Sequence, residues 1–157
     1  MIWGETGTRL GATHRQIATV AWLWAKWGLD RLHNGDCIGV DEQLYYLVKA
    51  FQFRVDVSIH PPTIEKHRAW CGQHDLMTTV LAEKAYLVRD RDIVDDAFVM
   101  VGVPRQQSEP KESWRRGNGG TWYTINYTRD QGKPLAIVWP NGSVDYERWE
   151  LVTRRSR

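Results

Sequence analysis

The sequence predicts an α/β fold: a parallel β-sheet flanked by helices on both faces. Three observations lead there. Short apolar runs such as Ala97 to Val103 and Leu135 to Trp139 lack polar alternation, as expected of strands buried on both sides. Segments with apolar residues at helical spacing separate these runs. Loops rich in Gly, Asn and Pro follow the runs in succession. At 157 residues the chain has the size of one domain and can bury a core without disulfide staples, so one domain over residues 1–157 is expected.

The elements follow in order. Met1 to Glu5 is a short strand, and Thr6-Gly7-Thr8-Arg9 with Gly11 forms a loop. Thr13-His14-Arg15-Gln16 has the capping-box pattern, Thr13 at the N-cap and Gln16 three residues on. The helix it opens carries Ile17, Val20, Ala21, Leu23, Trp24 and Trp27 at helical spacing and stops at Gly28. Arg31 to His33 is a strand, followed by the loop Asn34 to Gly39. Asp41 is placed to cap a helix running through Leu44, Leu47, Val48 and Phe51. Val55 to Ile59 is a strand ended by His60-Pro61-Pro62, and Thr63 to Gln73 reads as irregular chain with a helical turn. Ala85 to Val88 reads as a strand and Arg91 to Asp95 as the start of a short helix. Ala97 to Val103 is a strand ending at Pro104, and residues 105–118 form a polar loop. Thr121 to Gln131 is a helix ended by Gly132. Leu135 to Trp139 is a strand ended by Pro140-Asn141-Gly142, and the remainder finishes as a hairpin-like or short irregular piece.

Composition narrows the function classes. A net charge of +2 argues against an extended nucleic-acid surface. No apolar run approaches the roughly 20 residues of a membrane span. The N-terminus shows no secretory signal, so a cytoplasmic location is expected. Cys37 and Cys71 form no metal or redox motif and read as free thiols of a reducing compartment. The five histidines have no metal-ligand spacing; no metal and no cofactor are expected. Nine tryptophans are many for this length, and a homo-oligomer contact is one use for them.

In open α/β sheets ligands bind beyond the carboxyl ends of the strands, where the glycine loops lie. The sharpest is Arg116-Gly117-Asn118-Gly119-Gly120-Thr121. Glycines let backbone N–H groups approach an anion, and a helix start adds free donors and a favourable dipole. Thr121 offers a hydroxyl there and Arg116 a charge. Gly7-Thr8-Arg9 repeats the logic, or is simply a tight strand-to-helix turn. Arg89 and Arg91 suit a phosphate clamp, or ion pairing with Asp90, Asp92 or Asp95. Asp36 and Asp41 suit ribose hydroxyls. His33 and His60 stand at strand ends, as ligand contacts or as structural histidines. Trp122 is assigned to the core rather than to stacking on a base.

Together Gly7-Thr8-Arg9, His33-x-Gly35-Asp36-Cys37-x-Gly39-x-Asp41, His60-Pro61-Pro62, Arg68-Ala69, Arg89-x-Arg91-x-Ile93-Val94, Gly120-Thr121-Trp122-x-Thr124, Gly132-Lys133-Pro134 and Pro140-x-Gly142 resemble a bacterial and phage branch of the SLOG superfamily. The resemblance covers roughly Gly4 to Gly142. It implies a Rossmann-like domain with a nucleotide or nucleotide-sugar site at the strand ends. It suggests a sensor, or a phage-encoded sequestering protein of anti-defence, for ADP-ribose derivatives or cyclic nucleotides. Phosphate would sit on Thr8, Arg9, Gly119, Gly120 and Thr121. SLOG phosphoribohydrolases carry a glutamate where this chain has Thr124, and threonine supplies no carboxylate. Asparagine is expected where the chain has Asp90. The rival expectation is N-glycosidic hydrolysis of nucleoside monophosphates with Glu5, Asp36 or Asp90 as the carboxylate.

Overall fold

The computed structural model describes residues 1–50, 54–73, 75–113 and 119–155. Its strands are β1 (Ile2–Gly7), β2 (Arg31–Asn34), β3 (Asp56–Ile59), β4 (Thr78–Val80), β5 (Val99–Val103), β6 (Leu135–Val138) and β7 (Val144–Glu147). Its helices are α1 (His14–Trp27), α2 (Val40–Ala50), α3 (Tyr86–Asp96), α4 (Gly120–Asp130) and α5 (Glu150–Arg155). The strands form one sheet in the order β4-β3-β2-β1-β5-β6-β7, parallel except for β7, which runs antiparallel to β6. The chain winds outward from β1 to β4 and then returns to place β5 against the other side of β1. The gap between β1 and β5 is therefore the topological switch point of the sheet.

Alternation along the strands divides the core into two layers. Trp3, Leu32, Val57, Val99, Val101 and Ala136 face α1, α2 and α5, packing on Val20, Leu23, Trp24, Leu44, Val48 and Val152. Met100, Leu135 and Ile137 face α3 and α4, packing on Ile93, Val94, Ala97, Trp122 and Ile125. The Thr13–Gln16 capping box is present in full. Gln16 does more than cap: its buried Nε2 donates to Pro104 O and Val138 O, 2.9 Å each. It thereby ties the start of α1 to the ends of β5 and β6.

Two readings of the sequence are corrected, and one strand is added. Tyr86–Asp96 is neither strand nor interrupted helix but the continuous α3. Its buried stripe is Arg89, Asp90, Ile93 and Val94, while Leu87 and Val88 are exposed. Half of the stripe is charged, which hides the helical period, and the exposed apolar pair mimics a strand. The short edge strand β4, unread in the sequence, carries exposed Thr79 and Val80; its three β-branched residues are too few to show a period, and they pair with β3. Asp41 lies inside α2 rather than at its cap. The hairpin-like finish is present, β7 pairing antiparallel with β6, and a short helix, α5, follows it.

Replacing Gln16 with Ala leaves two buried carbonyls without a donor and removes half of the capping box. A loss of about 2–4 kcal/mol is expected. Urea denaturation checks this, and an unchanged midpoint would refute the bridging role.

Candidate functional site

Beyond the carboxyl ends of β1 and β5 lies an open cavity of about 860 Å³. Gly7, Thr8, Arg9 and Leu10 form one wall, directly after β1. Arg105 and Gln106, after β5, form another. Gly119, Gly120, Thr121 and Trp122 bring in the start of α4, and Tyr86 the first residue of α3. Ile38, Ile64 and His67 close the remaining side.

The start of α4 opens on the cavity. Among the described residues no side chain caps it, and no acidic residue lies in its first turn. The first N–H groups of any α-helix lack intrahelical acceptors, and the dipole leaves partial positive charge there. Gly119 has φ +90°, a conformation that favours glycine. At Gly120 a Cβ would stand 2.4 Å from Tyr86 Cε1, so only glycine lets the helix start lie on that ring. Arg9 is exposed, and its Nη1 lies 2.7 Å from His67 Nε2. Arginine has no acceptor, so Nε2 must accept, which fixes His67 as the neutral Nδ1–H tautomer. Desolvation and the adjacent Arg9 charge lower the His67 pKa in agreement.

Beneath this cavity lies a buried ionic cluster. The Arg89 guanidinium lies 3.2 Å from Asp90 Oδ1 and 3.8 Å from Asp41 Oδ2, and donates to Cys37 Sγ at 3.0 Å. It stacks on Tyr86 with 4.6 Å to the ring centroid. Gly35 leaves room for it, since a Cβ there would stand 1.7 Å from Nη1. Burial pushes the Glu5 carboxyl well above the usual carboxylate range, with Asp41 adding to the rise. Burial raises Asp41 as well, against the pull of Arg89. Asp90 is pushed up to about 7 by burial, which outweighs Arg89. Burial also raises the Cys37 thiol to about 12, so it is inert as a nucleophile.

The structure therefore sorts the expected site residues. Thr8, Arg9, Gly119, Gly120 and Thr121 all line the cavity. Arg116 and the first half of its glycine loop lie outside the described residues. Asp36, Asp41, Arg89 and Asp90 are buried, and none lines it. Asp36 accepts from Arg68 Nε at 2.7 Å and Cys71 N at 2.8 Å, which pins the segment carrying Ile64 and His67. Asp41 Oδ2 accepts from Cys37 N at 3.1 Å. Glu5, the third carboxylate of the rival reading, is likewise buried, with Oε1 3.4 Å from Gly35 N. Arg91 points outward, its Nε donating to Tyr123 Oη at 2.6 Å. His33 and His60 are buried against one another rather than in the cavity. Trp122 is wholly buried, its Nε1 donating to Gln106 Oε1 at 3.2 Å.

Sequence reasoning missed Tyr86, His67, Arg105 and Gln106. Tyr86 was hidden by the strand-like run around it. Arg105 and Gln106 directly follow an apolar strand and were findable by position alone.

No family model matches the chain, and no curated protein matches it. Among solved structures it is similar to the X-ray structure of TM1055, a structural-genomics target, with 19% identity and a TM-score of 0.53. The match covers 86% of this chain and 72% of that one. The chain has a Rossmann-like α/β fold. At that identity the likeness concerns the fold alone. No helix among the described residues is long and apolar enough to cross a membrane.

The raised Asp90 pKa has a signed consequence. A carboxyl at about 7 in the fold and about 3.9 when unfolded binds its proton more tightly in the folded state. Its contribution is therefore lost as pH rises from about 4 through about 7. Buried His33 and His60, lowered in the fold, act with opposite sign, so the difference between wild type and Asp90→Asn is the useful quantity. That difference should grow in favour of Asp90→Asn up to pH 7, by as much as about 4 kcal/mol, and then level off. Denaturation midpoints across the range test it; a pH-independent difference would contradict it.

Proposed function

We propose that this chain binds a phosphorylated nucleotide-derived ligand, of the ADP-ribose or cyclic-nucleotide kind, and so senses or sequesters it. The observation carrying this reading is the meeting, at the switch point, of the Gly7-Thr8-Arg9 turn with the uncapped start of α4. Phosphate would sit on the first-turn N–H groups of α4 with the Thr121 hydroxyl, and Arg9 would neutralise it. Arg105 adds a second positive charge at the rim. Tyr86 offers an aromatic face beside the glycines, and Ile38 and Ile64 an apolar wall for a base or sugar. Ribose contacts are reassigned away from Asp36 and Asp41, whose oxygens are engaged with backbone and Arg68. The resemblance to SLOG domains supports the same ligand class.

Binding is favoured over N-glycosidic hydrolysis because Glu5, Asp36 and Asp90 do not line the cavity and Thr124 carries no carboxylate. Incubation with nucleoside monophosphates should release no free base; turnover would reverse the preference.

Thermal-shift titration with AMP, ADP-ribose and cyclic nucleotides should raise Tm for at least one of them. Arg9→Ala should weaken that ligand by about 10- to 100-fold, as for loss of one charge-assisted contact. Added salt should weaken wild-type binding more than it weakens the variant. No shift with any of the three classes would overturn the reading.

A further inference from the structure

On the sheet face covered by α3, away from the cavity lining, two imidazoles meet. His33 lies on β2 in register with Ser58 on β3. His60 follows two residues after Ser58 and so projects to the same face. His33 Nδ1 and His60 Nε2 are 2.8 Å apart, and both side chains are buried. Asp96, the last residue of α3, brings its Oδ2 to 3.9 Å from His33 Nδ1. The three donor atoms lie within 4.8 Å of one another. Positions 33, 60 and 96 form no sequence motif; only the sheet register and the end of α3 assemble them.

We propose that His33, His60 and Asp96 bind a divalent transition-metal ion of the zinc class, with the remaining coordination position open to water. Two imidazoles and a carboxylate are the donor set that zinc and cobalt favour, and three protein ligands leave one position for solvent. The spacing fits after a small opening. Ligands about 2.0–2.2 Å from a tetrahedral ion stand roughly 3.3–3.6 Å apart. Asp96 is already near that value, too far from His33 for a hydrogen bond and close enough for an ion between them.

Charge supports the site. Without an ion, the two facing nitrogens share a single neutral hydrogen bond, and Asp96 faces an uncharged ring. A cation gives all three one partner. The nearby positive groups are already engaged. Arg31 pairs with Asp56, Lys84 with Asp92 and Arg89 with Asp90, while Lys133 Nζ donates to the carbonyls of Val94, Asp95 and Ala97. Asp96 is 54% exposed, which gives an ion a route from solvent. Occupied, the site would staple β2, the end of β3 and the C-terminus of α3, three elements distant in sequence.

The test is a titration of chelator-treated protein with Co²⁺ and Zn²⁺. Co²⁺ should give the visible d–d absorption of a four- or five-coordinate ion, which Zn²⁺ then bleaches. Zn²⁺ at a hundredfold excess over its Kd should raise Tm by about 5–10 °C. Asp96→Asn, at an exposed position, should keep the metal-free Tm and lose at least about tenfold in affinity. His60→Gln, which preserves a polar partner for His33, should abolish the cobalt band. Absence of both band and Tm shift overturns the proposal. So do a band and shift that survive in both variants, because the ion would then sit elsewhere.

Discussion

The buried guanidinium of Arg89 is the interaction on which the rest of the arrangement depends. A charge taken out of water is costly unless paired and hydrogen-bonded. Arg89 resolves this by drawing together three otherwise separate pieces: the loop after β2 through Cys37 and Asp41, its own helix through Asp90, and Tyr86 at the head of that helix. Tyr86 in turn lies on Gly120, and the Asp90 carboxyl stands beside the Thr124 side chain. The floor of the cavity is thus a continuous chain of contacts from α2 through α3 to α4. Removing Arg89 would leave buried carboxylates without their cation and loosen the seat of both glycine segments.

Three carboxyls, Glu5, Asp41 and Asp90, surround one arginine, and the protein cannot hold all three ionised in so little water. Their raised pKa values express that conflict. On α4 the Thr124 hydroxyl donates back to Gly120 O at 2.8 Å. The neighbouring carboxylate, Asp90, has been drawn into the core beneath the helix start. The same surroundings that would make a carboxyl a proton donor near neutral pH also bury it out of the cavity's reach.

Much of the fold was legible in the residues because the physical signals there are local. The Thr13–Gln16 capping box, the apolar period of α1, the uninterrupted β5 and β6, and the turn at Pro140-Asn141-Gly142 are set within a few neighbours. The helix α3 was misread for the opposite reason. Its core-facing stripe begins with Arg89 and Asp90, residues that reach the interior only because distant partners neutralise them. The edge strand β4, only Thr78–Val80, is β-branched but too short to show a period, and pairing with β3 defines it. For the site, the glycine turns were legible because backbone approach and helix starts leave a mark in sequence. The charged residues were not, since a charge seen alone does not say whether it meets ligand, solvent or a buried counter-ion.

By itself the sequence determined the α/β class, the parallel sheet with helices on both faces, and the two glycine segments that converge at its carboxyl end. These follow from hydrophobic period, from chain length and from the backbone freedom of glycine, all properties of short stretches. Only the tertiary structure decided which charges stay at the rim, such as Arg9, and which fold inward, such as Arg89, Asp36 and Asp41. It alone brought His33 and His60 within hydrogen-bond distance of one another beside Asp96. The reason is that burial of a charge and the meeting of distant donors are set by what packs against a residue, which no local pattern records.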